Sequence, residues 1–223
     1  VQSMGKSLVA EFIGTFALIL LGAGAGTLAG AGIAGSLITV ALAHGLTIMI
    51  FAYAFGDVSG SLINPAVTVG LWVGGALEGR RVVPYIVVQI AGAILAGGIL
   101  SWVFGAQGGN LGATVVNYET GITVPVAFVL ECIGTFFLVN TIMNTAIAGK
   151  AGNLAPLAIG MTVAACIMMF GPLTGASLNP ARTLGPAVAA GEYTDIWVFL
   201  VATVLGGVLA GAFNRYFMQA DTQ

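Results

Sequence analysis

The sequence predicts an all-α membrane protein with six transmembrane helices and two re-entrant half-helices, arranged as an inverted internal repeat. Three observations carry this expectation. Charged side chains make up 6% of the 223 residues and apolar ones 58%, against about 25% charged in a soluble domain, so lipid rather than water solvates most of the chain. Six apolar stretches each come close to the ~20 residues that cross a bilayer as a helix. Two short motifs occur twice, at nearly constant separation. Composition also argues against a nucleic-acid partner, because 6 Lys and Arg against 8 Asp and Glu leave a net charge of −2 and no basic patch.

The elements follow in order along the chain. The first span covers 7–26, with Lys6 just before it, and is too long and Gly-rich to be a cleaved signal, so it stays. The second covers 36–55, and after it a piece at 63–77, opened by Asn64-Pro65-Ala66, is too short to cross and reads as re-entrant. The third, fourth and fifth spans fall at 82–104, 124–147 and 154–170. A second short piece at 178–190 opens with Asn179-Pro180-Ala181, and the last span is 196–218. The 34 glycines are interleaved with Leu, Ile, Val and Ala; Gly22, Gly26 and Gly30, and Gly207 and Gly211, have the four-residue spacing of close helix packing in lipid. Cys132 and Cys166 sit inside apolar runs and read as small core residues, not as a disulfide or metal pair.

Basic residues set the orientation. Lys6, Arg80, Arg81, Lys150 and Arg215 all fall on one side, while the opposite loops carry Glu119, Glu192 and Asp195 and no Lys or Arg. The positive-inside rule then makes both termini cytoplasmic. Arg182, a cation within the second re-entrant piece, is the exception and calls for a functional reason.

The repeat is explicit. Ala10-Glu11-Phe12-Ile13-Gly14-Thr15-Phe16 recurs as Leu130-Glu131-Cys132-Ile133-Gly134-Thr135-Phe136, and Asn64-Pro65-Ala66 recurs as Asn179-Pro180-Ala181, while Leu42-Ala43-His44-Gly45 pairs with Leu157-Ala158-Ile159-Gly160. The single channel domain, 1–223, thus divides into a first repeat over 1–115 and a second over 120–223. Each half has three spans, an odd number, so the second enters the membrane upside down relative to the first.

Asn is a favoured N-cap and Pro a favoured first helical residue, so half-helices should begin at Asn64 and Asn179. With inverted topology their positive ends meet at mid-depth and repel cations and protons. With the asparagine backbones engaged in capping, the side-chain amides are expected to point into a lumen and donate to passing water. Glu11 and Glu131, inside the membrane, either couple to a proton or ion or accept hydrogen bonds from irregular backbone; the second role is preferred.

The segments Ser59-Gly60-Ser61-Leu62-Ile63-Asn64-Pro65-Ala66-Val67-Thr68 and Gly175-Ala176-Ser177-Leu178-Asn179-Pro180-Ala181-Arg182, with the paired Glu-x-x-Gly-Thr-Phe starts, resemble the aquaporin and glycerol-facilitator family, the major intrinsic proteins. That resemblance covers nearly the whole chain. It implies an aquaporin-like fold, a homotetramer with one pore per subunit in a lipid bilayer, and passive flow of water or small neutral solutes. It also implies that Glu11 and Glu131 hold the re-entrant loops of their own halves. The family's narrow outer constriction maps onto His44, Ile167, Ala176 and Arg182. This quartet departs from that of strict water channels and is similar to plant tonoplast-type members, which implies ammonia as a second permeant and leaves urea and hydrogen peroxide open.

A glycerol or urea facilitator is the alternative. Leu200 resembles the glycerol branch, whereas Thr183, Ala187 and His44 depart from it, and Leu62 stands where the family commonly has His. A secondary transporter shares inverted repeats and broken helices, but it would need coupling acids or cation ligands between the two Asn-Pro starts. No enzyme is expected: the single His has no Ser, Cys or metal-ligand partner, and neither catalytic residues, metal nor cofactor is anticipated. The expected location is the cell membrane.

Overall fold

The computed structural model describes residues 3–218; the outermost ends of the domain expected over 1–223 lie outside the described residues. The architecture of the described residues is all-α, with six helices among them long and apolar enough to cross a membrane. They are α1 (Met4–Gly30), α2 (Leu37–Ser59), α4 (Gly79–Phe104), α5 (Val124–Ile147), α6 (Ala155–Thr174) and α8 (Ile196–Met218). Two short helices, α3 (Pro65–Val73) and α7 (Pro180–Ala190), complete the set. At 1.5 Å per residue, the 23 residues of α2 span about 35 Å, enough for the hydrocarbon layer and part of each interface.

Local chemistry explains the ends. Ser36 and Thr39 form a reciprocal capping box at the start of α2, and Gly60, at φ 93°, ends it in the left-handed conformation that glycine adopts without penalty. Hydropathy placed several ends too far inside the helices. Lys6, expected ahead of the first span, lies within α1, and Arg80 and Arg81, expected in a linking loop, form the first turn of α4. Helices continue past the apolar stretch into the interface, where long cationic side chains reach water or partners. α6 likewise runs beyond 170 through Pro172, and loop residue Asn117 serves its last carbonyls: its backbone N–H donates to Leu173 O at 2.8 Å and its Nδ2 to Pro172 O at 3.0 Å.

The two halves interlock. α1 packs on α4 and α5 on α8, while each half-helix crosses over, α3 against α8 and α7 against α4, and α2 packs on α6. Small residues allow these approaches. A Cβ on Gly45 would lie 2.6 Å from the Gly160 carbonyl, so the two repeated glycines meet each other at the α2–α6 crossing, and one on Gly185 would lie 2.5 Å from the Ala93 carbonyl. Gly207 and Gly211 pack against the backbone of α3, as their spacing suggested. In the row Gly22, Gly26, Gly30 the first two face α2: a Cβ on Gly22 would lie 2.6 Å from the His44 ring and one on Gly26 4.0 Å from Val40 and 3.5 Å from Gly112 Cα, whereas Gly30 faces open space. Large apolar side chains such as Trp102, 85% exposed, cover the outside of the bundle, as lipid requires. Both cysteines are free thiols, Cys166 buried and Cys132 partly so.

Candidate functional site

The two half-helices begin at the centre of the molecule, each at its Asn-Pro. Oδ1 of Asn64 accepts from the N–H groups of Ala66 (2.8 Å) and Val67 (3.3 Å), and Oδ1 of Asn179 from those of Ala181 (2.9 Å) and Arg182 (3.3 Å). The cap is therefore made by the side-chain oxygen, which corrects the expectation of a backbone cap with a wholly free amide. The amide nitrogens cross between the halves. Asn64 Nδ2 donates to Leu178 O at 2.8 Å and Asn179 Nδ2 to Ile63 O at 3.0 Å. An amide nitrogen carries two protons, so one remains on each asparagine. Both asparagines line the same cavity.

The loops feeding these starts are irregular in the same way. Ser61, Ile63, Ala176 and Leu178 all have positive φ, between 42° and 54°, at equivalent positions of the two halves. Each such non-glycine residue costs roughly 1–3 kcal/mol and persists only where its surroundings impose it. Two buried carboxylates do so. Glu11 accepts from Ser59 Oγ (2.6 Å), Leu62 N (2.9 Å), Ile63 N (2.6 Å) and Gln89 Nε2 (2.7 Å). Glu131 accepts from Thr174 Oγ1 (2.7 Å), Ser177 N (2.9 Å) and Leu178 N (2.9 Å). With the loop N–H groups turned onto the carboxylates, the carbonyls of Gly60, Ser61, Leu62, Ala176 and Ser177 meet no protein donor among the described residues. All five residues line the cavity, which offers a ladder of acceptors.

That cavity has a volume of about 690 Å³, and His44, Ile167, Ala176 and Arg182 all contribute to its wall. Nδ1 of His44 lies 2.9 Å from the Val40 carbonyl, which can only accept. A neutral imidazole must then carry its proton on Nδ1 and present Nε2 as an acceptor. Arg182 Nη1 donates to the Gly112 carbonyl at 2.7 Å. Among the described residues Nε2 of His44 and Nε of Arg182 have no hydrogen-bond partner, and both atoms are buried. The site thus holds a buried acceptor and a buried donor, both unused, beside the apolar Ile167 and Ala176. Leu62 also lines the cavity, which makes it apolar at the position where the resemblance leads one to expect His, and Asp57 lies at its margin. Leu200 is not among the lining residues.

Sequence reading overlooked several members of this assembly. Gln89, fully buried in α4, bridges Glu11 and Thr68 of α3 (3.1 Å); an amide in the middle of an apolar run was the available signal. Arg81 turns inward, donating to Ser7 Oγ (3.3 Å) and Tyr85 Oη (3.0 Å), and Tyr85 in turn donates to the Ser59 carbonyl (3.0 Å). Gly112 and Thr114, in the loop after α4, have no sequence signature that would have placed them against α7.

A family model described as major intrinsic protein matches residues 1–214. Among curated relatives, "Aquaporin NIP1-1" of Zea mays is 40% identical, covering 93% of this chain and 72% of its own. "Aquaporin AqpM" of Methanothermobacter thermautotrophicus is also 40% identical, covering 96% of this chain and 98% of its own. Among solved structures, the aquaglyceroporin from Plasmodium falciparum superposes with a TM-score of 0.83 at 26% identity, covering 97% of each chain.

Proposed function

The chain belongs to the major intrinsic protein family and is a multi-pass membrane channel passing water and small solutes passively; from that premise we propose that its pore conducts water and ammonia, and excludes protons, ions and glycerol. The observation that carries this reading is the reciprocal asparagine pair. Each Asn caps a half-helix with Oδ1 and keeps one free N–H at the meeting point of two positive helix ends. A water there accepts from the amides and turns its hydrogens outward to the carbonyl ladder, which breaks proton relay.

Selectivity is assigned to His44, Ile167, Ala176 and Arg182. His44 Nε2 is left to accept and Arg182 Nε to donate once a small side-chain motion exposes these buried atoms to a transiting molecule, and ammonia, like water, can serve both. Ile167 and Ala176 give no polar replacement for glycerol's remaining hydroxyls, so its desolvation is left uncompensated. Leu200, the residue favouring a glycerol reading, lies off the cavity wall. Glu11 and Glu131 are structural: their oxygens are taken up by loop N–H groups and hydroxyls rather than by a permeant.

The same reading makes the chain two inverted repeats, 1–115 and 120–223, with both termini cytoplasmic, in the cell membrane as a homotetramer. The test is stopped-flow on one batch of proteoliposomes, following osmotic shrinkage, ammonia-driven internal alkalinisation and glycerol re-swelling. Fast water and ammonia with slow glycerol is expected. Ammonia entry no faster than in empty liposomes refutes the second permeant, and fast glycerol refutes the filter assignment.

A further inference from the structure

A run of buried hydroxyls links the loop after α4 to the second re-entrant segment, and nothing in the conduction pathway uses it. Thr183, which follows Arg182 in α7, has Oγ1 2.7 Å from Ser177 Oγ and 2.8 Å from Thr114 Oγ1. Ser177 Oγ donates to the Asn179 carbonyl at 3.0 Å. All three side chains are buried.

Each hydroxyl owns one proton, and that fixes the direction of the run. Ser177 gives its proton to the Asn179 carbonyl and therefore accepts from Thr183. Thr183 has then used its proton and accepts from Thr114. In the first half the equivalent threonine behaves otherwise: Thr68 donates to the Asn64 carbonyl four residues back, at 2.9 Å, the pattern that Thr15 and Thr135 also follow. The difference has a cause in sequence. Leu62 occupies the position that Ser177 occupies in the second half, so only the second half has an additional hydroxyl to serve the capping carbonyl and release its threonine.

We propose that Thr114 is a positioning residue for the selectivity filter, its bond to Thr183 holding the loop in the register at which the Gly112 carbonyl meets Arg182. Two adjacent residues of α7, Arg182 and Thr183, are gripped by two loop residues two positions apart, Gly112 and Thr114. The loop comes this close because Gly175 lacks a side chain: a Cβ there would lie 3.0 Å from Thr114 Cα. Without the hydroxyl bond, the carbonyl holding the guanidinium is free to slide and the constriction widens. The inference rests on the filter reading given under Proposed function.

The test compares Thr114→Val, which keeps shape and loses the hydroxyl, with Thr114→Ser in proteoliposomes, reading the ratio of glycerol to water permeability. The ratio rises in T114V by about fivefold, the equilibrium factor of one neutral hydrogen bond of about 1 kcal/mol, and returns to the wild-type value in T114S. The double variant T114V/T183V matches T183V, because the one bond Thr114 makes is already lost once Thr183 lacks its hydroxyl. Tyr118→Phe, which loses a bond to Asp195 elsewhere in the same loop, leaves the ratio unchanged. If T114V does not fold, T114A carries the same expectation. An unchanged ratio in T114V, or an equal rise in Y118F, overturns the proposal. Arg182→Val separates the two levels: no change there sinks the filter reading itself, whereas a change in R182V without one in T114V sinks only the role of Thr114.

Discussion

Gly22→Ala narrows the pore, and the effect can be worked from the packing of one ring. A Cβ on Gly22 would lie 2.6 Å from Cδ2, 2.7 Å from Nε2 and 2.8 Å from Cγ of His44. Non-bonded carbon atoms settle at roughly 3.5–4.0 Å, so the ring must move by about 0.9 Å. It is not free to swing, since Nδ1 is held by the Val40 carbonyl at 2.9 Å and a shift of that size breaks the bond. His44 lines the cavity, so the space available to the displaced ring is the conduction path. A constriction that just passes a water of ~1.4 Å radius loses about a third of its width. Overpacking costs about 1–3 kcal/mol, which the fold tolerates, and about 1.4 kcal/mol felt by the transiting molecule slows it tenfold. Stopped-flow shrinkage should therefore show water permeability at least about tenfold lower in G22A, with conduction restored in G22A/H44A, where the ring is gone. Wild-type flow in G22A, or a double variant as slow as the single one, would refute the reasoning.

Other perturbations address the remaining parts. Glu11→Gln and Glu131→Gln each turn a donor toward a loop N–H, which orphans it; a loss of about 1–3 kcal/mol is expected, read as a lower thermal midpoint in detergent together with reduced water flow. Arg182→Val should keep water flow and weaken discrimination against urea, glycerol and ions, measured as solute re-swelling and ion leak; unchanged selectivity would remove Arg182 from the filter. Leu200→Ala should leave the glycerol-to-water ratio at the wild-type value, because Leu200 does not reach the cavity. A raised ratio would reinstate it as a determinant.

The parts of the molecule that were legible in sequence are those written in side-chain type and spacing. Six spans followed from apolar runs, and the half-helix starts from Asn-Pro, because both signals are local. Helix ends were misplaced at Lys6, Arg80 and Arg81, since hydropathy marks what sits in hydrocarbon and not where the backbone stops being helical. The asparagine amides were misread for a related reason: a cap by Oδ1 and a cap by backbone look identical in sequence, and only the bonds that Oδ1 accepts from Ala66, Val67, Ala181 and Arg182 distinguish them. Gly112 and Thr114 were out of reach, because a backbone carbonyl aimed at a guanidinium leaves no trace in residue type. The glycine row at Gly22, Gly26 and Gly30 shows the converse: its spacing was right for helix packing, yet the space beside Gly22 is occupied by an imidazole.

The crossed asparagine bonds have a consequence for how the protein is made. Asn64 finds its acceptor at Leu178, and the Ile63 carbonyl finds its donor at Asn179, so the first pore loop is completed only by chain that emerges from the ribosome more than a hundred residues later. Until then an amide and a carbonyl lack these partners, and within a membrane each unmatched group costs several kcal/mol. The seating of the first loop therefore waits for the second re-entrant segment, so that the two halves of the pore are completed together and not as two independent events.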